Sequence, residues 1–143
     1  MKAEQISIFL ENRAGRLAEL TRVLKENDIN IRAMSLADTS DFGILRIIVN
    51  DFETARNILK DNGFTVGRTT VVAVEVDDNP GGLYTLLDML SNAGVNVEYM
   101  YAFIQQKGKE AIMIFRFDRT DLAIETLAKN GIRIIPGEEL YQM

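Results

Sequence analysis

The stretch ISIFLENRAGRLAELTRVLKENDINIRAMS at residues 6–35 returns, changed but in step, as VAVEVDDNPGGLYTLLDMLSNAGVNVEYMY at residues 72–101. A shift of 66 places superposes Gly15 on Gly81, Leu17 on Leu83, Leu20 on Leu86, Leu24 on Leu90, Asn30 on Asn96 and Met34 on Met100. A shift of 68 aligns the second half of each unit: Val49 with Phe117, Ala55 with Ala123, Leu59 with Leu127, Asn62 with Asn130 and Gly63 with Gly131. The two-residue difference is expected in a longer hairpin loop at Gln105–Glu110. A duplicated unit puts two equivalent sites in one molecule, usually across a pseudo-twofold axis.

Each unit reads as β-α-β-β-α-β. Ile6, Ile8 and Leu10 alternate, as do Val72, Val74 and Val76, which is the period of a strand buried on one face. A turn comes next, then a helical stripe of Leu17, Leu20 and Leu24, or Leu83, Leu86, Leu87 and Leu90. Pro80 suits the first helical position, where its missing N–H has no partner to lose. A second strand is expected from Asn30 or Asn96. A hairpin at Thr39–Gly43 or Gln105–Lys109 leads to a third strand, Ile44–Val49 or Ala111–Phe117. A second helix, Phe52–Asn62 or Asp121–Asn130, begins at acidic residues and stops at Gly63 or Gly131. Between the units TVGRTTVVAVEV has no linker composition and reads as one strand running almost directly into the next. The expected fold is α+β: two ferredoxin-like units, residues 1–70 and 71–143, side by side in one continuous antiparallel sheet of about eight strands, with strand order 4-1-3-2 in each unit and the helices on one face. Phe9, Met34, Leu36, Ile44 and Ile48 lie out of phase with the helix-facing residues, as do Ile112 and Ile114. They predict an apolar helix-free face that pairs with a second copy in a homodimer.

Composition narrows the function. With 47% hydrophobic and 26% charged residues the chain is an ordinary globular one. Its net charge of −5 disfavours nucleic acid and anionic membrane surfaces as partners. It has no Cys and no His, which removes thiol nucleophiles, thiolate metal sites and the commonest general base. No apolar run approaches the ~20 residues that span a bilayer, and the N-terminus has too short an apolar stretch for a signal peptide, so a cytoplasmic location is expected. No cofactor is expected.

The polar residues that recur are few. They are the turn Asn12-Arg13-Ala14-Gly15-Arg16-Leu17, its counterpart Asp78-Asn79-Pro80-Gly81-Gly82-Leu83, and the pair Asn30 and Asn96. Glycine lets another group approach the backbone, and the amides at a helix start favour a carboxylate. Asn12 and Asp78 offer oxygens to an ammonium group. Two readings stand for the turns: a seat for a small zwitterion, or helix capping and turn formation by Asn12, Asp78 and Asn79. Asn30 and Asn96 are either ligand contacts or simple turn residues at the head of a strand. Asp77 and Asp78 are adjacent in a strand, point to opposite faces and make a poor acid/base pair. Tyr99, Tyr101 and Phe103 share one strand face; packing suits an acidic chain better than a base-stacking platform.

At these loops the chain resembles the ACT domain family of small regulatory modules that bind amino acids. ENRAGRL and DDNPGGL carry the resemblance after the first strand, and DINI and GVNV carry it after the first helix. NVEYMYAF further resembles stand-alone tandem-ACT proteins without an attached enzyme. The resemblance implies domains paired through their second strands. It also implies effectors held between the first turn of one domain and the second-strand start of its neighbour. That assigns Asn12, Arg13, Ala14, Gly15, Arg16 and Leu17 with Asn96, and Asp78, Asn79, Pro80, Gly81, Gly82 and Leu83 with Asn30. Serine-binding relatives carry a His where Leu10 and Val76 stand here, which argues against serine and leaves the ligand's side chain, a more apolar one included, open. Asn12 against Asp78 implies unequal affinities. The expected function is a free amino-acid sensor that regulates a partner enzyme. The alternatives are a ligand-free interaction module, or an enzyme using carboxylates or Tyr99 and Tyr101.

Overall fold

The computed structural model describes residues 1–38, 41–103 and 110–143. The chain divides into two compact units, Glu4–Thr69 and Thr70–Met143, the latter including Met1–Ala3. In the first, β1 (Ala3–Glu11), α1 (Arg16–Glu26), β2 (Ile31–Asp38), β3 (Phe42–Val49), α2 (Phe52–Asp61) and the start of β4 (Thr65–Asp77) come in order. The strands lie in the order β2-β3-β1-β4, with β1 and β2 each antiparallel to β3. Ile6 faces Ile47 and Ile8 faces Leu45 across β1 and β3. Their side chains meet Leu20, Val23 and Leu24 of α1 and Ala55 and Leu59 of α2 in one buried cluster. The leucine spacing of α1 therefore serves the core, and each fully buried leucine contributes about 1.5–3 kcal/mol.

In the second unit β4 continues into α3 (Gly82–Asn92), β5 (Val97–Ala102), β6 (Glu110–Phe117), α4 (Thr120–Lys129), β7 (Ile134–Ile135) and α5 (Gly137–Tyr141). Here β4 pairs with β6 and with β7, and β6 pairs with β5, all antiparallel, which is again a 4-1-3-2 order. Val72, Val74, Leu86, Leu90, Phe115, Phe117, Ala123 and Leu127 form its core. The TVGRTTVVAVEV segment, with Asp77 after it, is a single thirteen-residue strand that serves both units. Among the described residues the count is therefore seven strands, not the eight expected.

Several local expectations are corrected. The second strands begin at Ile31 and Val97, one residue after each Asn. Pro80 lies in the turn, two residues before the start of α3. Met34 pairs with Ile47 and Leu36 with Leu45, so both lie on the helix-facing side of β2. A register shift between Ile31 and Ala33 inserts an extra residue and reverses the phase of the strand. Ile48, Ile112 and Ile114 are fully buried within the single chain and cannot belong to an exposed face. Phe9 (56% exposed) and Phe42 (50% exposed) remain outside, with half-buried Ile44 beside them. The sequence reading did not foresee α5, on which Leu140 is fully buried. Arg133 ties it down by donating to Glu75 Oε1 (2.6 Å) and to Glu139 (2.8 Å to Oε2). The hairpins expected at Thr39–Gly43 and Gln105–Lys109 fall partly or wholly outside the described residues.

Candidate functional site

Both units break the chain sharply between the first strand and the first helix, and both place glycine at the helix cap. Gly15 has φ 87° and Gly81 has φ 90°, a left-handed conformation that side-chain-bearing residues resist. The N-cap residue of each helix is a glycine, so the cap position itself is held by neither Asn12 nor Asp78 nor Asn79. The turns close through backbone instead. Arg16 N–H donates to Arg13 O at 3.3 Å and Glu19 N–H to Gly15 O at 2.9 Å. Equivalently, Gly82 N–H donates to Asn79 O at 3.1 Å and Thr85 N–H to Gly81 O at 3.0 Å. The Arg13 N–H is also used, bonding Glu11 O at 2.9 Å, and Pro80 has no N–H. These four groups drop out of the expected anion seat. The amides of Leu17 and Ala18, and of Leu83 and Tyr84, remain in a first turn without intrahelical acceptors.

Asn12, Arg13 and Leu17 line a cleft of about 80 Å³ with Leu10, Leu36 and Gly43. In the second unit Asn79, Pro80, Gly81 and Gly82 line a larger pocket, about 240 Å³, with Asp77 and Ile132 among its walls. Ala14, Gly15 and Arg16 do not line the first cleft, nor Asp78 and Leu83 the second pocket. Gly82 lies so close to the preceding strand that a Cβ there would stand 2.1 Å from Asp77 O. Only glycine fits.

Arg16 is the main surprise. It is only 9% exposed and its side chain is turned into the fold. Its Nε meets Glu11 Oε2 at 2.5 Å, its Nη1 meets Glu19 Oε2 at 3.1 Å, and its guanidinium lies 4.0 Å from the centre of the Phe64 ring. Burial works against the cation, but the hydrogen bonds it donates to Glu19 and Glu11 outweigh it and the pKa rises above the ordinary arginine value. Arg16 is thus a structural residue of the first turn.

Asn30 and Asn96 are exposed and line neither of these two spaces. Each is fixed through its backbone. Asn30 N–H donates to Asn50 Oδ1 (2.9 Å) while Asn50 N–H returns to Asn30 O (3.2 Å). Asn96 N–H donates to Asp118 Oδ1 (2.8 Å) while Asp118 N–H returns to Asn96 O (3.2 Å). Asn50 and Asp118 are therefore site-shaping residues that the sequence reading missed, although the 68-residue offset superposes them. The helix expected from Asp121 begins one residue earlier, at Thr120, and Arg119 holds its cap position. Asp51 does cap α2, accepting from Thr54 N–H at 3.2 Å.

The second pocket is bordered by carboxylates. Asp77 pairs with Glu110 across β4 and β6. A hydrogen bond and repulsion from Glu75 hold the Glu110 carboxyl above its ordinary pKa, with smaller contributions from burial and Asp77. Tyr101 and Phe103 are buried, which removes them from any base-stacking surface. Among the described residues no group of three His, Cys, Asp or Glu is placed to hold a metal ion. No helix among them is long and apolar enough to cross a membrane.

A family model described as an ACT domain pair matches residues 1–143. The chain belongs to the ACT domain pair family. This ACT pair is 41% identical to protein BT0572 of Bacteroides thetaiotaomicron, with a TM-score of 0.94 over 100% of this chain and 98% of that one. It also resembles the regulatory subunits of aspartate kinase from Thermus thermophilus (15% identity, TM-score 0.64, 88% and 91% covered) and Thermus flavus (16% identity, TM-score 0.60, 88% and 90% covered). At that identity the likeness is one of fold. No curated protein matches the chain.

Proposed function

We propose that this ACT pair is a cytoplasmic amino-acid sensor, not an enzyme, and that it regulates a separate enzyme or pathway of amino-acid metabolism. The observation that carries the reading is the repeated strand–glycine–helix turn, set at a 66-residue offset in a chain of this family. The ligand carboxylate lies on the first-turn amides of α1 or α3. The ammonium is received by Asn12 or Asp78, or by Asn30 or Asn96. A neutral amide or single carboxylate matches an ammonium without leaving a buried unpaired charge. The sensing domains are residues 1–70 and 71–143. The exposed Phe9 and Phe42, with half-buried Ile44 beside them, support a homodimer.

The test is calorimetry with each free proteinogenic amino acid at millimolar concentration. Losing one hydrogen bond to a charged group costs about 1.5–3 kcal/mol, so Asn30→Ala and Asn96→Ala each weaken one site by about tenfold or more. Absence of binding by any amino acid refutes the sensor. Binding that both Asn variants leave unchanged refutes their place in the site.

A further inference from the structure

The duplication itself identifies what fits beside the second turn. In the first unit the Arg16 guanidinium is held by Glu11 and Glu19 and stacked on Phe64. The 66- and 68-residue offsets place Gly82, Asp77, Thr85 and Ile132 at the positions of Arg16, Glu11, Glu19 and Phe64. All four line the 240 Å³ pocket. The second unit keeps one carboxylate of that seat, Asp77, has Thr85 and Ile132 in place of the second carboxylate and the aromatic ring, and has no side chain at position 82 to enter the space. Nor can position 82 supply one, because a Cβ would collide with Asp77 O at 2.1 Å.

We propose that this pocket receives the cationic end of a small ligand, a guanidinium or ammonium of the basic amino-acid class, with one such site per chain. The inference rests on the amino-acid reading above for the rest of the ligand. Asp77 takes the part that Glu11 plays toward Arg16. Glu75 adds a second carboxylate to the walls, although Arg133 already pairs with it. Among the described residues Glu110 pairs with Asp77 across the neighbouring strand, and its pKa is raised first by a hydrogen bond with Glu75 and then by repulsion from Glu75. Leu86 and Ile132 offer an apolar wall for the methylene stem of a basic side chain. The first unit is already occupied by its own arginine, so it does not compete for such a ligand.

Calorimetry on the full chain tests this with arginine, lysine, their neutral counterparts citrulline and norleucine, and methylguanidinium. Arginine or lysine is expected to bind at one site per chain, about tenfold or more tighter than the neutral counterpart. Asp77→Asn, with its fold checked by circular dichroism, weakens binding by about the same factor. Thr85→Glu, which restores the first unit's second carboxylate, tightens it. Equal binding of citrulline and arginine, or an Asp77→Asn affinity equal to wild type, overturns the cation seat. Binding of neutral amino acids alone overturns it while the sensor reading stands. Binding of methylguanidinium but of no amino acid keeps the cation seat and overturns the sensor reading. No binding of any probe overturns both.

Discussion

Arg16→Gln removes the buried cation of the first turn while keeping most of the side chain's bulk. Three interactions are lost: the ion pairs to Glu11 and Glu19 at 2.5 and 3.1 Å, and the stacking on Phe64 at 4.0 Å. A hydrogen bond to a charged group is worth about 1.5–3 kcal/mol. Both glutamates are more than two-fifths exposed, so solvent screening reduces each pair to about 1 kcal/mol. The largely desolvated cation–π contact adds about 1 kcal/mol. The sum is about 3 kcal/mol, or roughly 10 °C in Tm for a chain of this size. Arg22→Ala is the control. Its pair with Glu26 at 3.0 Å is exposed on both sides, and its loss costs no more than about 0.5 kcal/mol. Urea unfolding of wild type and both variants measures the difference. In 1 M salt the part of the loss carried by the stacking on Phe64 persists, while the two ion pairs, whose glutamates are exposed, weaken. An Arg16→Gln midpoint indistinguishable from that of Arg22→Ala would refute the assignment of Arg16 as an internal brace.

The same geometry sets further outcomes. Gly82→Ala forces a Cβ against the Asp77 carbonyl and destabilises by about 1–3 kcal/mol. Gly67→Ala, whose Cβ would meet nothing closer than Ser7 O at 4.0 Å, is nearly neutral in the same denaturation assay. Glu110 has its pKa raised in the folded state, so its contribution is present at acid pH and is lost as pH rises through the raised value. Glu110→Gln keeps a hydrogen-bond donor toward Glu75 at every pH. Its stability therefore gains on wild type as pH climbs above the ordinary carboxylate range, and a constant difference across that range contradicts the shared-proton arrangement. Phe9→Ser with Phe42→Ser converts the proposed homodimer to a monomer in sedimentation. A wild-type mass already at 16.1 kDa rules the dimer out.

Much of the fold was legible in the residue order because its signals are local. Alternation at Ile6, Ile8 and Leu10 and the leucine stripe of α1 each declare a face, and their return after 66 residues declares the duplication. The turns were legible for the same reason: Gly15 and Gly81 occupy the one conformation that favours glycine. The sides of β2 were not legible. A single extra residue near Arg32 sends Met34 and Leu36 to the opposite face, and a bulge leaves no mark on hydrophobic spacing. The burial of Ile48, Ile112 and Ile114 was not legible either, because a strand's period separates its two faces without saying whether a face is covered.

The candidate site divides in the same way. The sequence determined by itself which positions recur, and so which residues belong together. Only the tertiary structure decided that Arg16 turns inward onto Phe64, 48 positions away, and that Gly82 leaves open the equivalent space beside Ile132. An arginine in a surface turn ordinarily stays solvated. It stays inside here because two carboxylates and an aromatic face, brought from separate elements, replace the water it gives up.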